Sequence, residues 1–354
     1  MNSLNALNAT SLFAITLSGC GFEHGIIPSV DAMTDAATGG APDLLRPSEG
    51  ETLPPTRAFL LWRPGQAPAG RTVSAYGLCV TNGPASDIDE ASECPNPVTA
   101  ARTYHVADAL EAGAVYLWKI RAQYDDGSFS EWSSARSFLT DNSVVSRWLL
   151  NGDVTDASGL GHDGTLQGGA AFAPGLVGQA LALDGTNDSM TAADTSDHDF
   201  GTGDFWLSAW VHPLRDGMAE ALITKRDSGN GYELYRSDAG QLVFFSPTCG
   251  NAAMGGALPM ATWSHVTARR TGTAIRIYVD SALAGMGTCA ENFANAGPLT
   301  LGTNGPLAGN MEAFQGRIDE VVLRNTGSEE AAIVNEFCAD QTVAGVDPLP
   351  AACQ

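Results

Sequence analysis

Between residues 144 and 337 the chain is broken into short apolar runs of strand length, separated by clusters of Gly, Asn, Asp and Ser. Runs this short and this evenly punctuated commit a segment to antiparallel β-structure. Residues 274–280 show the period most clearly, with Ile275, Ile277 and Val279 on one face. Residues 263–268 form a natural hairpin partner. Forty glycines and 16% charged residues fit a turn-rich β protein. One exception is expected, a short helix over residues 328–333, with Ser328 as N-cap and Glu329 and Glu330 in its positive first turn.

In order along the chain come an opening strand at 145–150 and the loop Asp156-Ala157-Ser158-Gly159. The turn-rich stretch 162–166 follows, then strands at 178–185, 205–211, 221–225, 232–235 and 241–245, and a closing run at 316–321. This succession resembles the laminin-G-like, concanavalin A-like jelly rolls. The resemblance implies an all-β domain over residues 141–337, two antiparallel sheets packed about 10 Å apart. It also implies a fold that more often binds than cuts.

Residues 44–140 read as a smaller sandwich. Tyr116-Leu117-Trp118-Lys119-Ile120-Arg121-Ala122, followed by Asp126-Gly127 and Ser130-Glu131-Trp132-Ser133, resembles a fibronectin type III module. A cysteine-bearing insertion separates Asn82 from Pro97. Trp62, Trp118 and Trp132 fit the core or the end of such a sandwich, with ligand stacking as the alternative. A spacer is its expected role.

The first 20 residues read as a lipoprotein signal peptide. Residues 11–17 are a short apolar run, and Leu17-Ser18-Gly19-Cys20 resembles the lipobox, which implies acylation of Cys20. Residues 1–10 carry no Lys or Arg, unlike the basic start of such leaders. Gly21 in place of Asp implies the outer membrane, so the expected address is the cell surface or its periplasmic side. A secreted protein with an incidental Cys20 is the alternative. Residues 21–43 read as a flexible tether.

Six further cysteines fall two by two into three segments: Cys79 with Cys94, Cys249 with Cys289, and Cys338 with Cys353. Six cysteines allow 15 pairings, and the local one is the simplest. It makes residues 338–354 a disulfide-closed tail and implies an oxidising compartment.

The formal net charge of -22 excludes nucleic acid as a partner, because the chain repels phosphate backbones. Calcium is the cofactor that the jelly-roll resemblance implies, held by Asp156, Asp184 and Asp319, with Asp188 nearby. Calcium asks for six to eight oxygens. Alternatively, Asp156 and Asp163 only stabilise turns and Asp319 binds neighbouring backbone. Trp206, Tyr232, Tyr235, Phe245 and Phe293 are candidates for sugar stacking, and each also fits a core.

No Glu-x-Asp-x-x-Glu array, Gly-x-Ser-x-Gly elbow or His-Glu-x-x-His pair occurs. His265 reads as structural. The expectation is a non-catalytic surface lipoprotein that binds a carbohydrate or protein ligand. A purely structural envelope protein and a glycoside hydrolase are the other readings. The hydrolase needs two carboxylates about 5–10 Å apart in a cleft.

Overall fold

The computed structural model describes residues 39–53, 57–82, 102–108, 110–140, 142–304, 312–327, 330–346 and 348–354. The chain divides into Met1–Ala37 and Thr38–Gln354, and the described residues all belong to the second unit. The leader, Cys20, Cys94, Ser328 and Glu329 lie outside the described residues.

The unit is all-β apart from one helix and short 3-10 turns. Its first sandwich has a three-stranded sheet, Asp43–Arg46, Arg57–Arg63 and Tyr104–Asp108 in that order. The facing sheet runs Glu51–Leu53, Arg136–Thr140, Val115–Tyr124 and Val73–Asn82, with the first pair parallel. Between them Trp62 stands edge-on to Tyr76 at 5.2 Å, and Trp118, Ile120 and Phe138 complete the core. Trp132 lies outside that core. Lys119 and Arg121 stack on its ring at 4.7 and 4.5 Å, which shields it by cation–π contact.

The second sandwich is larger. One sheet runs Ala171–Pro174, Gln179–Asp184, Gln315–Arg324, Phe205–Pro213, Ser264–Thr271, Ala274–Val279 and Ala282–Thr288, and Val144–Trp148 pairs with the far half of Gln315–Arg324. The other runs Gly250–Ala257, Gln241–Ser246, Gly231–Arg236, Glu220–Arg226, Leu299–Leu301, Ser189–Ala192 and Gly164–Gln167. Their inward faces share one core that includes Leu207, Leu234, Phe205, Phe244 and Phe293. At one edge the sheets close on each other. A Cβ on Gly285 would lie 2.5 Å from the carbonyl oxygen of Met254, so only glycine permits the approach.

The helix α1 spans Glu330–Val343, much longer than the one turn and a half expected from sequence. Cys338 is therefore helical, and the disulfide-closed C-terminal segment begins inside the helix. Cys338 and Cys353 are bonded and fully buried in a cluster with Phe59, Leu61, Trp210 and Phe337. The helix lies between the two sandwiches. A helix covered on several sides has no single apolar stripe, so the 3.6-residue signal is missing. Its polar residues meet partners instead. Glu336 takes Arg324 at 3.0 Å and Asp340 takes Arg57 at 2.7 Å and the Trp210 indole at 2.9 Å. Arg57 also reaches Glu320 at 3.1 Å, and Glu320 is shared with Arg147 at 3.2 Å. Strand Phe205–Pro213 is thereby buried on both faces, with Trp206 and Trp210 against the helix side.

Candidate functional site

Strand alternation decides what the seven-stranded sheet shows to its outer side. Tyr232 and Leu234 point into the core, so Glu233 and Tyr235 point away from it. The register places Phe245 and Thr224 on either side of Glu233, and Thr300 next to Thr224. Arg226, from the end of the same strand as Thr224, donates through Nε to Glu233 Oε2 at 2.6 Å and lies 5.3 Å from the Phe245 ring centre. Its Nη2 is 3.9 Å from Glu312 Oε2, which accepts from Asn304 Nδ2 at 2.7 Å. Tyr235 donates to Asn251 Oδ1 at 3.1 Å.

Glu233 is 1% exposed, and burial pushes its carboxyl up to about 7; Arg226 opposes this and the neighbouring Glu312 adds to it. Its Oε1 meets no donor in the ionised form. Tyr235 and Phe245 are only half-buried, and Glu312 keeps 33% of its side-chain exposure. The result is an open aromatic and charged patch over a buried polar floor.

Of the five aromatics singled out in the sequence, only Tyr235 and Phe245 offer an accessible ring, since Trp206, Tyr232 and Phe293 are fully buried. Glu233 and Glu312 escaped sequence reasoning because one comes from a strand and the other from a distant turn, and they share no local motif. His265 is buried between Trp210 and Phe337, 3.8 Å from Glu336.

Asp156, Asp184 and Asp319 are not brought together. Among the described residues, the one grouping of three or more ligand-type atoms is Cys249, Cys289 and Glu291, and its two sulfurs are joined in a disulfide. Asp156 accepts from the backbone of Arg147, Ser158 and His162 and from the Ser158 hydroxyl. Burial alone raises its carboxyl, but those donors outweigh it and hold the group below its usual range. Asp319 accepts from Leu176 and Val177 through one oxygen and from Glu320 through the other. There burial wins and pushes it up to about 7. Asp188 accepts from the backbone of Asp184, and Asp184 from Thr186. The contacts of Asp156 and Asp319 are with backbone N–H groups, the kind named in the alternative reading.

A chain of nucleophile-like groups lies elsewhere. Ser146 Oγ is 2.7 Å from His198 Nε2 and 3.1 Å from His162 Nδ1, and His162 Nε2 is 3.1 Å from Asp197. Ser146 and His198 are fully buried, so this hydroxyl has no path to a substrate. Burial, with the charges of His162 and Lys225, lowers His198 to about 4 and keeps it neutral. The chain is a structural relay inside the sandwich.

Residues 184–333 match the family described as the concanavalin A-like lectin/glucanases superfamily. The C-terminal sandwich is a concanavalin A-like domain in its sheets as well as in that match. No curated protein sequence matches the chain. Among solved structures, the binding domain of Paraclostridial Mosquitocidal Protein 1 is similar at 16% identity and TM-score 0.46, covering 56% of this chain and 52% of that one. Domain 4 of AbnA, a GH43 extracellular arabinanase from Geobacillus stearothermophilus in complex with arabinotriose, is similar at 19% identity and TM-score 0.45, covering 55% and 98%. The binding domain of botulinum neurotoxin DC in complex with SialylT gives 12% identity and TM-score 0.45, covering 57% and 52%. The chain spans about half the length of the two toxin chains. These are similarities of fold.

Proposed function

We propose that the protein is a non-catalytic binding module that takes a neutral glycan on the outer face of its seven-stranded sheet. The partly exposed side chains of Tyr235 and Phe245 beside Arg226, Glu312 and Asn251 carry this reading. A pyranose ring lies flat on an aromatic face while such polar groups take its hydroxyls. The net charge of -22 disfavours sulfated or phosphorylated chains.

Glu233 and Glu312 are read as part of the binding surface and are assigned no bond cleavage. Glycosidase carboxyls stand about 5–10 Å apart over an open cleft, whereas Glu233 is buried and held by Arg226 Nε at 2.6 Å. Calcium has no part in the proposal. Display at the outer membrane through acylated Cys20 belongs to it and rests on the lipobox; loss of labelled palmitate incorporation in Cys20→Ser checks that half. Glycan arrays of neutral and anionic oligosaccharides check the other half, and silence on every neutral glycan would count against it.

One observation favours a protein ligand instead. Met254, Leu283 and Met286 are 51%, 48% and 65% exposed on the two strands that meet at the sandwich edge. Crosslinking on intact cells that captures one partner through this edge would support that second reading.

A further inference from the structure

Lys225 stands at the end of strand Glu220–Arg226 with its side chain wholly out of solvent. Its ammonium is ringed by four oxygens: Asp194 Oδ1 at 2.8 Å, Asp199 Oδ1 at 2.9 Å, the carbonyl of Asn295 at 2.8 Å and the carbonyl of Gly297 at 2.9 Å. An ammonium has three N–H donors, so the ring supplies one acceptor more than the lysine can use. Two carboxylates and two loop carbonyls from separate segments are the hard oxygen set that calcium prefers. Arginine could not replace this lysine, because a planar fork does not radiate to a ring of this kind. Only two of the 18 basic residues are lysines, and this is one of them.

We propose that Lys225 is a built-in counter-cation filling a calcium-type oxygen cage, so that the loops it ties close without metal, and that the vacated cage takes a calcium ion. The lysine draws residues 194–199 and 295–297 onto the strand end. Asn295 reinforces the tie by accepting from Gly297 N at 2.8 Å and donating to Lys225 O at 3.3 Å. Without the lysine, two carboxylates face each other across a hole. Calcium sits closer to its ligands than an ammonium does, at about 2.3–2.6 Å, and needs additional oxygens. Asp194 is 41% exposed and Asp199 24%, so the carboxylates can move inward and water can complete the shell.

The test uses the full chain as wild type, Lys225→Ala and Lys225→Ala with Asp194→Asn, titrated with CaCl2 by calorimetry and unfolded by heat with and without the salt. Wild type is expected to show no binding at this site and almost no thermal shift. Lys225→Ala is expected to bind one calcium per chain and gain several degrees, with MgCl2 weaker because magnesium demands a tighter octahedron. The double variant is expected to bind at least tenfold less tightly. A folded Lys225→Ala that neither binds nor is stabilised overturns the proposal, as does an equal calcium shift in wild type. Should Lys225→Ala not fold alone, refolding it with CaCl2 or with methylammonium chloride reads the same property. Recovery with CaCl2 supports the proposal, and recovery with neither, or with methylammonium alone, overturns it.

Discussion

Asn335 of the helix closes both halves of an amide pair with the backbone of Phe59, accepting from its N–H and donating to its C=O at 3.3 Å each. Its side chain thus takes the place of a neighbouring strand's peptide and fastens the first sandwich to the helix that covers the second. Asn335→Ala leaves two buried backbone groups without partners. A loss of about 1–3 kcal/mol in urea unfolding is expected. Unaltered stability would mean the two sandwiches are held by apolar contact alone.

Arg57 serves two buried acids of different elements, Glu320 and Asp340. Burial raises both carboxyls above their usual values, and Arg57 holds that rise in check. Arg57→Met therefore costs about 3–5 kcal/mol near neutral pH, as expected when one partner of a buried ionic group is removed. Groups with raised folded values favour the native state at low pH and lose that advantage as pH climbs. The cost should accordingly shrink on moving from pH 8 to pH 5, as read by denaturation at both. A cost independent of pH would show that neither acid changes its protonation across that range.

Glu233, at about 7 when folded and 4.5 in its ordinary state, binds its proton more tightly in the native protein. The stability it contributes is full below about 4.5 and is lost as pH rises through about 7. Glu233→Gln keeps the shape and the acceptor for Arg226 and removes the buried charge. It should stabilise the protein by about 1–3 kcal/mol at pH 8 and hardly at pH 4. Equal curves for both proteins across that range would contradict the buried-acid assignment.

The bond between Cys338 and Cys353 closes a loop with a separation of 15 residues, and that between Cys249 and Cys289 one of 40. Chain entropy assigns them about 3 and about 4 kcal/mol. Cys353→Ser with Cys338→Ser should lower stability by about 3 kcal/mol and loosen the C-terminal segment over Leu61, seen as faster amide exchange there. No change in exchange would show that packing alone seats it.

The jelly-roll strands were legible because alternation and turn residues are local signals, and Ile275, Ile277 and Val279 needed no tertiary context. Local pairing likewise foretold the bonds Cys249–Cys289 and Cys338–Cys353. The helix was cut short because Asn335, Glu336 and Asp340 look solvent-facing until Phe59, Arg324 and Arg57 are placed around them. The backbone N–H groups that Asp156 and Asp319 accept from were not legible, because a sequence does not show which distant peptides will meet a carboxylate. The Glu233 and Glu312 pair and the Lys225 cage were hidden for the same reason, since each joins segments far apart in the chain.

The decisive measurement is calorimetric titration of the intact protein with the strongest neutral glycan from the array, set beside Tyr235→Ala with Phe245→Ala. The double variant, still folded, is expected to lose at least tenfold in affinity, because each aromatic contact is worth about 1–3 kcal/mol by the yardstick of ring stacking. Chelator should leave wild-type binding untouched. Equal affinity in the double variant, or release of the glycan by chelator, would contradict the proposed glycan site.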